Sequence, residues 1–268
     1  MNVWKKEEAF DPHAEIENIV SWIRDYFCKN GDESTKAVIG ISGGKDSTIA
    51  AALLVRALGK ERVIGVLMPQ DTQADIDDSR KVCEYLDIEN CEINIGPACE
   101  RLYREINLSL YEETSHHCEE FAIVSTNTPA RIRMATLYAI AGLCHGRVCN
   151  TCNASERYVG YSTKYGDNAG DFALFHDYTV TELYEMGDAL GLPYELVHKT
   201  PADGMQGKSD EEVIGATYEL IDRVVRHDDL NSIPFDKFQI IQSKHKYAKH
   251  KNDAVRLPHP DRNDGGWF

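Results

Sequence analysis

Residues 36–47 read Lys36-Ala37-Val38-Ile39-Gly40-Ile41-Ser42-Gly43-Gly44-Lys45-Asp46-Ser47. The apolar run Ala37, Val38, Ile39 and Ile41 predicts a buried strand. It stops at Ser42-Gly43-Gly44, after which Ile49, Ala50, Leu53 and Leu54 recur at helical spacing. A strand feeding a glycine turn and a helix N-terminus makes an anion site. Unpaired N–H groups and the positive end of the helix dipole converge there, and glycine lets a phosphate approach the backbone. The turn is not a Walker A loop, which needs four residues between its glycines before Lys and Ser or Thr. Here three residues separate Gly40 from Gly44, and Asp46 follows the lysine. An acid beside bound phosphate is repulsive unless a metal ion lies between them, so Asp46 predicts Mg²⁺.

Strands alternate with helices on both sides of this turn. A helix over 16–28 carries Ile16, Ile19, Val20, Ile23 and Phe27 on one stripe. Strands are expected at 62–69, at 91–95 and at 147–151, with helices over 74–86, around Leu102, Ile106 and Leu110, and near Ala154. Asn127-Thr128-Pro129 reads as a capped helix start, and that helix ends at Gly146. Residues 112–120 form a polar loop holding His116-His117-Cys118, and 161–172, rich in Gly, Asp and Tyr, read as a functional loop. A helix over 181–190 closes at Gly191-Leu192-Pro193, and Ser209-Asp210-Glu211-Glu212 starts another. The pattern predicts an α/β fold, a doubly wound, Rossmann-like parallel sheet with helices on both faces. Ligands bind beyond the carboxyl ends of such strands, where both the glycine turn and Thr151 fall.

Composition narrows the function classes. A chain of 268 residues, 42% apolar and 27% charged, reads as one globular domain over 1–268. No apolar run reaches the ~18 residues of a membrane span, and the N-terminal residues lack the apolar core of a signal peptide. Eight cysteines without such a signal point to thiols in a reducing cytoplasm. The net charge of −15 argues against a nucleic-acid footprint and leaves room only for a local basic pocket.

Ser42-Gly43-Gly44-Lys45-Asp46-Ser47 resembles the pyrophosphate loop of the N-type ATP pyrophosphatases, which adenylate a substrate by cleaving ATP between its α and β phosphates. Thr151-Cys152-Asn153-Ala154-Ser155-Glu156, followed by Gly160-Tyr161-Ser162-Thr163-Lys164-Tyr165-Gly166-Asp167, resembles the signature of the NAD synthetase branch. Asp171, Lys199-Thr200-Pro201-Ala202, Lys244-His245-Lys246 and Phe10-Asp11-Pro12 are similar to that branch as well. The resemblance implies that Gly40, Ile41, Ser42, Gly43, Gly44, Lys45, Asp46, Ser47 and Thr151 bind ATP. Asp46 and Glu156 would hold Mg²⁺, while Arg131, Lys164, Asp171, His245 and Lys246 would bind deamido-NAD. Asp46, Glu156 and Asp171 are the implied catalytic acids, Asp171 also as a group that could steer or deprotonate ammonium.

The reaction implied is amidation of deamido-NAD through an acyl-adenylate. Free ammonia is the expected nitrogen source, since 268 residues leave no room for a glutaminase domain. The resemblance also implies a homodimer. Two positions depart from the pattern: Val180 stands where the family has lysine, and Ala202 where it has Ser or Thr. The rival reading is a tRNA-thiolation enzyme, suggested by Lys45 and by Cys149-Asn150-Thr151-Cys152. One such pair offers too few ligands for a zinc or iron–sulfur site, and structural thiols are the expectation. His116-His117-Cys118, with Cys91 and Cys99 upstream, fits no zinc spacing either.

Overall fold

The computed structural model describes residues 10–73, 75–110, 118–198 and 209–253. The strands are β1 (Lys36–Gly40), β2 (Val63–Leu67), β3 (Glu89–Glu92), β4 (Gly146–Asn150) and β5 (Phe172–Ala173). Between and after them run α1 (Pro12–Asn30), α2 (Lys45–Leu58), α3 (Ile76–Leu86), α4 (Gly96–Leu110), α5 (Cys118–Cys144) and α6 (Ala154–Val159). The later helices are α7 (Val180–Ala189), α8 (Tyr194–Val197), α9 (Asp210–Ile214), α10 (Tyr218–Arg226) and α11 (Phe235–Asn252).

All pairings are parallel, and the sheet order is β3-β2-β1-β4-β5. Val38 at the centre pairs with Ile64 on one side and Val148 on the other. Side chains alternate across each strand. Ala37, Ile39, Val63 and Leu67 face a core built with α1, α2, α3 and α7, while Val38, Ile64, Val66 and Val148 face α4 and α5. A third apolar cluster joins α6, α9, α10 and α11 through Val159, Ile214, Ile221 and Ile241. The chain steps outward from β1 in one direction and from β4 in the other, so the switch point lies between their carboxyl ends. Phe10-Asp11-Pro12 has a local cause: Asp11 caps α1 by accepting from His13 N at 3.0 Å and Ala14 N at 3.2 Å, with Pro12 at the first helical position.

The doubly wound sheet is as expected, with three differences. No helix starts at Asn127-Thr128-Pro129; α5 begins at Cys118, running through Pro129. Proline inside a helix removes one ladder bond. Asn127, expected as the cap, instead accepts from Thr163 Oγ1 at 2.9 Å, so its side chain faces the loop after α6. The same start overturns the polar-loop reading over 118–120; residues 111–117, with His116 and His117, lie outside the described residues. Second, β3 occupies Glu89–Glu92 rather than 91–95, although Ile93 N and Ile95 N still donate to Leu67 O and Pro69 O. Third, the two-residue β5 closes the segment read wholly as loop. Its apolar run, Phe172-Ala173-Leu174-Phe175, is short, and only the pairing of its first two residues to Cys149 and Asn150 defines it as a strand.

Candidate active site

The glycine turn is shaped by contact as much as by dihedral freedom. Gly43 has φ +76°, and a Cβ there would lie 2.9 Å from both Asp78 Cβ and Ser79 N at the start of α3. Hydroxyls close the turn internally: Ser42 and Ser47 Oγ lie 3.2 Å apart, Ser42 Oγ accepts from Gly44 N at 3.3 Å, and Ser47 Oγ donates to Gly44 O at 3.0 Å. Gly44 is the N-cap of α2 and, lacking a side chain, gives it no cap bond. The first turn of a 14-residue helix therefore presents its N–H groups to the switch point.

Glu156 reaches the same place from β4. Asn153 caps α6 by accepting from Glu156 N at 2.9 Å, and Glu156 Oε2 accepts in return from Asn153 N at 3.1 Å. This capping box fixes the carboxylate with one oxygen. Opposite it, Asp46 Oδ2 accepts from Lys45 Nζ at 3.0 Å, while Asp46 Oδ1 is buried without a hydrogen-bond partner. Burial and then the Asp46 charge push the Glu156 carboxyl above its ordinary range, opposed by Lys45. For Lys45, burial favours the neutral amine, but Asp46 and Glu156 outweigh it and raise the pKa. Its ammonium also sits 5.7 Å from the Tyr184 ring centre and 5.6 Å from that of Tyr218.

Two carboxylates within electrostatic reach of each other, one with an orphaned buried oxygen, suit a hard cation. Among the described residues no group of three or more His, Cys, Asp or Glu is arranged to hold a metal alone. Two carboxylates completed by phosphate oxygens and water are the usual Mg²⁺ pattern, so the residues present fit that ion.

The remaining site residues fall into two further places. Arg131 Nε on α5 donates to Lys164 O at 3.2 Å, and Lys164 Nζ donates to His250 O at 2.5 Å and Asp253 O at 3.0 Å at the end of α11. Lys251 answers from α11 by donating to Gly160 O and Ser162 O at 2.7 and 2.8 Å. His245 stacks on Tyr158 at 4.0 Å between ring centres, its Nδ1 3.0 Å from Tyr158 O, which ties it to the helix of Glu156. Lys246 is exposed, one residue further along α11. Asp171 stands apart: its Oδ2 accepts from Val148 N at 2.7 Å and its Oδ1 from Tyr138 OH at 3.3 Å. Val148 is level with Val38, four residues before Ser42, or roughly 13 Å down the sheet. Asp171 there borders an open cavity of about 360 Å³ with Tyr138 and Arg147. It is not brought to the acidic pair, and that placement lends nothing to a role in deprotonating ammonium.

Both cysteines of the Cys149/Cys152 pair are buried; Cys152 Sγ donates to Asp167 O at 3.3 Å. Burial pushes both thiols well up, away from thiolate character. Val180 is buried at the start of α7, its N–H donating to Ser155 Oγ at 3.0 Å; Lys199, Ala202 and Lys208 lie outside the described residues. Sequence reasoning missed Tyr184 and Tyr218, which long-range packing alone brings over Lys45. It also missed the capping box, which Asn153-Ala154-Ser155-Glu156 does spell out.

The sequence profile of the family described as NAD synthase matches residues 15–255. The chain belongs to the NAD synthase family. It is 35% identical over 250 residues to the NH(3)-dependent NAD(+) synthetase of Alkaliphilus metalliredigens, covering 91% of this chain and 97% of that one. The enzyme of the same description from Thermococcus kodakarensis is 36% identical over 218 residues, 81% of each chain. Among solved structures, an NMN synthetase from Francisella tularensis superposes with TM-score 0.83 at 30% identity, over 93% of this chain and 99% of that one. The doubly wound sheet and the glycine turn are thus those of NAD synthases, and no helix among the described residues is long and apolar enough to cross a membrane.

Proposed function

We propose that this chain amidates deamido-NAD with free ammonia and ATP, giving NAD, AMP and pyrophosphate. One observation carries the reading: Asp46, whose Oδ1 is buried without a partner, lies within electrostatic reach of Glu156 beside an uncapped helix start at the switch point. A carboxylate oxygen of the substrate attacks the α-phosphorus, the α–β bridge breaks, and pyrophosphate leaves an acyl-adenylate behind. Ammonia then bonds to the acyl carbon, the C–O bond to AMP breaks, and one proton is released. Both nucleophiles are substrates, so no side chain need act as one. The N–H groups of α2 and the hydroxyls of Ser42 and Ser47 bind the phosphates, and Thr151 closes the site from the end of β4. Asp46 and Glu156 would hold Mg²⁺, which when bound would neutralise charge on the departing pyrophosphate. Arg131, Lys164, His245 and Lys246 lie on the α5, loop and α11 side of that site and are assigned to the dinucleotide, with Asp171 toward its far end.

Three further parts of the reading have specific support. A homodimer accords with the apolar outer face of α5, where Leu143 is 89% exposed. A reducing cytoplasm accords with seven free cysteines among the described residues. A single synthetase domain accords with the 97% of the Alkaliphilus metalliredigens enzyme that this chain covers. A second reading deserves a test because the NMN synthetase superposes so fully: the substrate would then be nicotinate mononucleotide, which lacks the AMP half. Nothing favours the thiolation reading, since Cys149 and Cys152 are buried.

The deciding experiment supplies ATP, Mg²⁺ and ammonium with deamido-NAD, nicotinate mononucleotide, xanthosine monophosphate, or tRNA with a sulfur donor. AMP and pyrophosphate in equal amounts, fastest with deamido-NAD, are expected. Faster turnover of the mononucleotide would transfer the assignment to the second reading, and AMP from tRNA alone would overturn both.

A further inference from the structure

Among the described residues, Lys45 is the cation that the structure places against the acidic pair. Only 6% exposed, it donates to Asp46 Oδ2 at 3.0 Å and lies under Tyr184 and Tyr218. Two partly buried carboxylates without a counter-charge are costly, and this ammonium offsets part of their charge. A divalent cation held by the same carboxylates would share Asp46 with that ammonium, and like charges a few ångströms apart in a buried place repel strongly. Lys45 is also the first residue of α2, directly after the glycine turn, and its four-carbon stem is flexible. A triphosphate in that turn offers the ammonium a second set of oxygens.

We propose that Lys45 is a resident counter-ion that keeps Asp46 and Glu156 from a divalent cation until a triphosphate draws its ammonium away, so that metal and nucleotide bind as a coupled pair. The proposal rests on the assignment of Asp46 and Glu156 as the metal pair. The coupling is reciprocal by necessity: whatever factor the nucleotide lends the metal, the metal lends the nucleotide. It gives the site a cation in its resting state and ties metal capture to the arrival of substrate.

Binding of Mn²⁺ to the full chain without nucleotide, followed by the paramagnetic resonance of the free ion, tests this directly. Lys45→Met should bind Mn²⁺ at least ~10-fold more tightly than wild type, and Lys45→Arg no more tightly than wild type. Lys45→Gln is the second neutral variant should Met disturb the fold. In the converse measurement, α,β-methylene-ATP without metal should bind Lys45→Met at least ~10-fold more weakly than wild type. Unchanged Mn²⁺ affinity in both neutral variants overturns the proposal, as does equal tightening in Lys45→Arg, which would make size rather than charge the cause. Neither result touches turnover of deamido-NAD by the wild-type enzyme, which tests the function separately.

Discussion

Glu156 serves two ends with one carboxylate, closing the cap of α6 and lying within electrostatic reach of Asp46. The two can be separated because glutamine completes a capping box as well as glutamate does. Glu156→Gln is expected to unfold within about 0.5 kcal/mol of wild type in urea while losing turnover at least about a hundredfold. Glu156→Ala should lose the same activity and also about 1 kcal/mol of stability. Equal stability for the two variants would remove the cap from the account. Asp46→Asn should likewise lower turnover at least about a hundredfold, read as pyrophosphate release, with far-ultraviolet circular dichroism unchanged. Asp46 was legible in the sequence because an acid in a phosphate turn has few physical justifications. The tyrosines above Lys45 were not, since residues 184 and 218 reach it only through α7 and α10.

Helix starts, more than strands, assemble the site. Asp222 on α10 is buried and accepts from Thr181 N at 2.8 Å, from Thr181 Oγ1 and from Ser155 Oγ; Ser155 in turn accepts from Val180 N at 3.0 Å. The first turns of α6 and α7 are thereby fastened to α10, next to Glu156. Asp222→Ala leaves three donors without an acceptor and should cost about 2–4 kcal/mol in urea denaturation. A loss below 0.5 kcal/mol would show that water replaces the carboxylate. Lys251→Met removes the two bonds to Gly160 O and Ser162 O, so amide exchange over 160–168 should quicken and KM for the dinucleotide rise more than KM for ATP. Such junctions explain what the sequence hid. Periodicity locates each helix by its own apolar face, as it did for α1 and α2. It says nothing about a proline tolerated mid-helix beside a docked loop, nor about a strand as brief as β5, which exists only through its neighbour.

The chain carries net charge −15, and the proposed function has it hold two anionic substrates with a helix start and a few basic groups rather than a basic surface. Its outer face on α5 offers Leu143 at 89% exposure, with Tyr138 nearby on the same helix. Leu143→Glu costs a monomer almost nothing, so in sedimentation velocity it should shift the protein toward half its mass if this face joins two copies. An unchanged sedimentation coefficient would remove this face from the proposed dimer. The reciprocal lysines have a practical corollary. Because Lys164 grips carbonyls at the end of α11 while Lys251 grips the loop that carries Lys164, anything pulling on the end of α11 pulls on the loop proposed to bind the dinucleotide. An affinity tag or fusion partner belongs at the other end of the chain, and kinetic constants from C-terminally tagged material should be compared with those of the untagged enzyme.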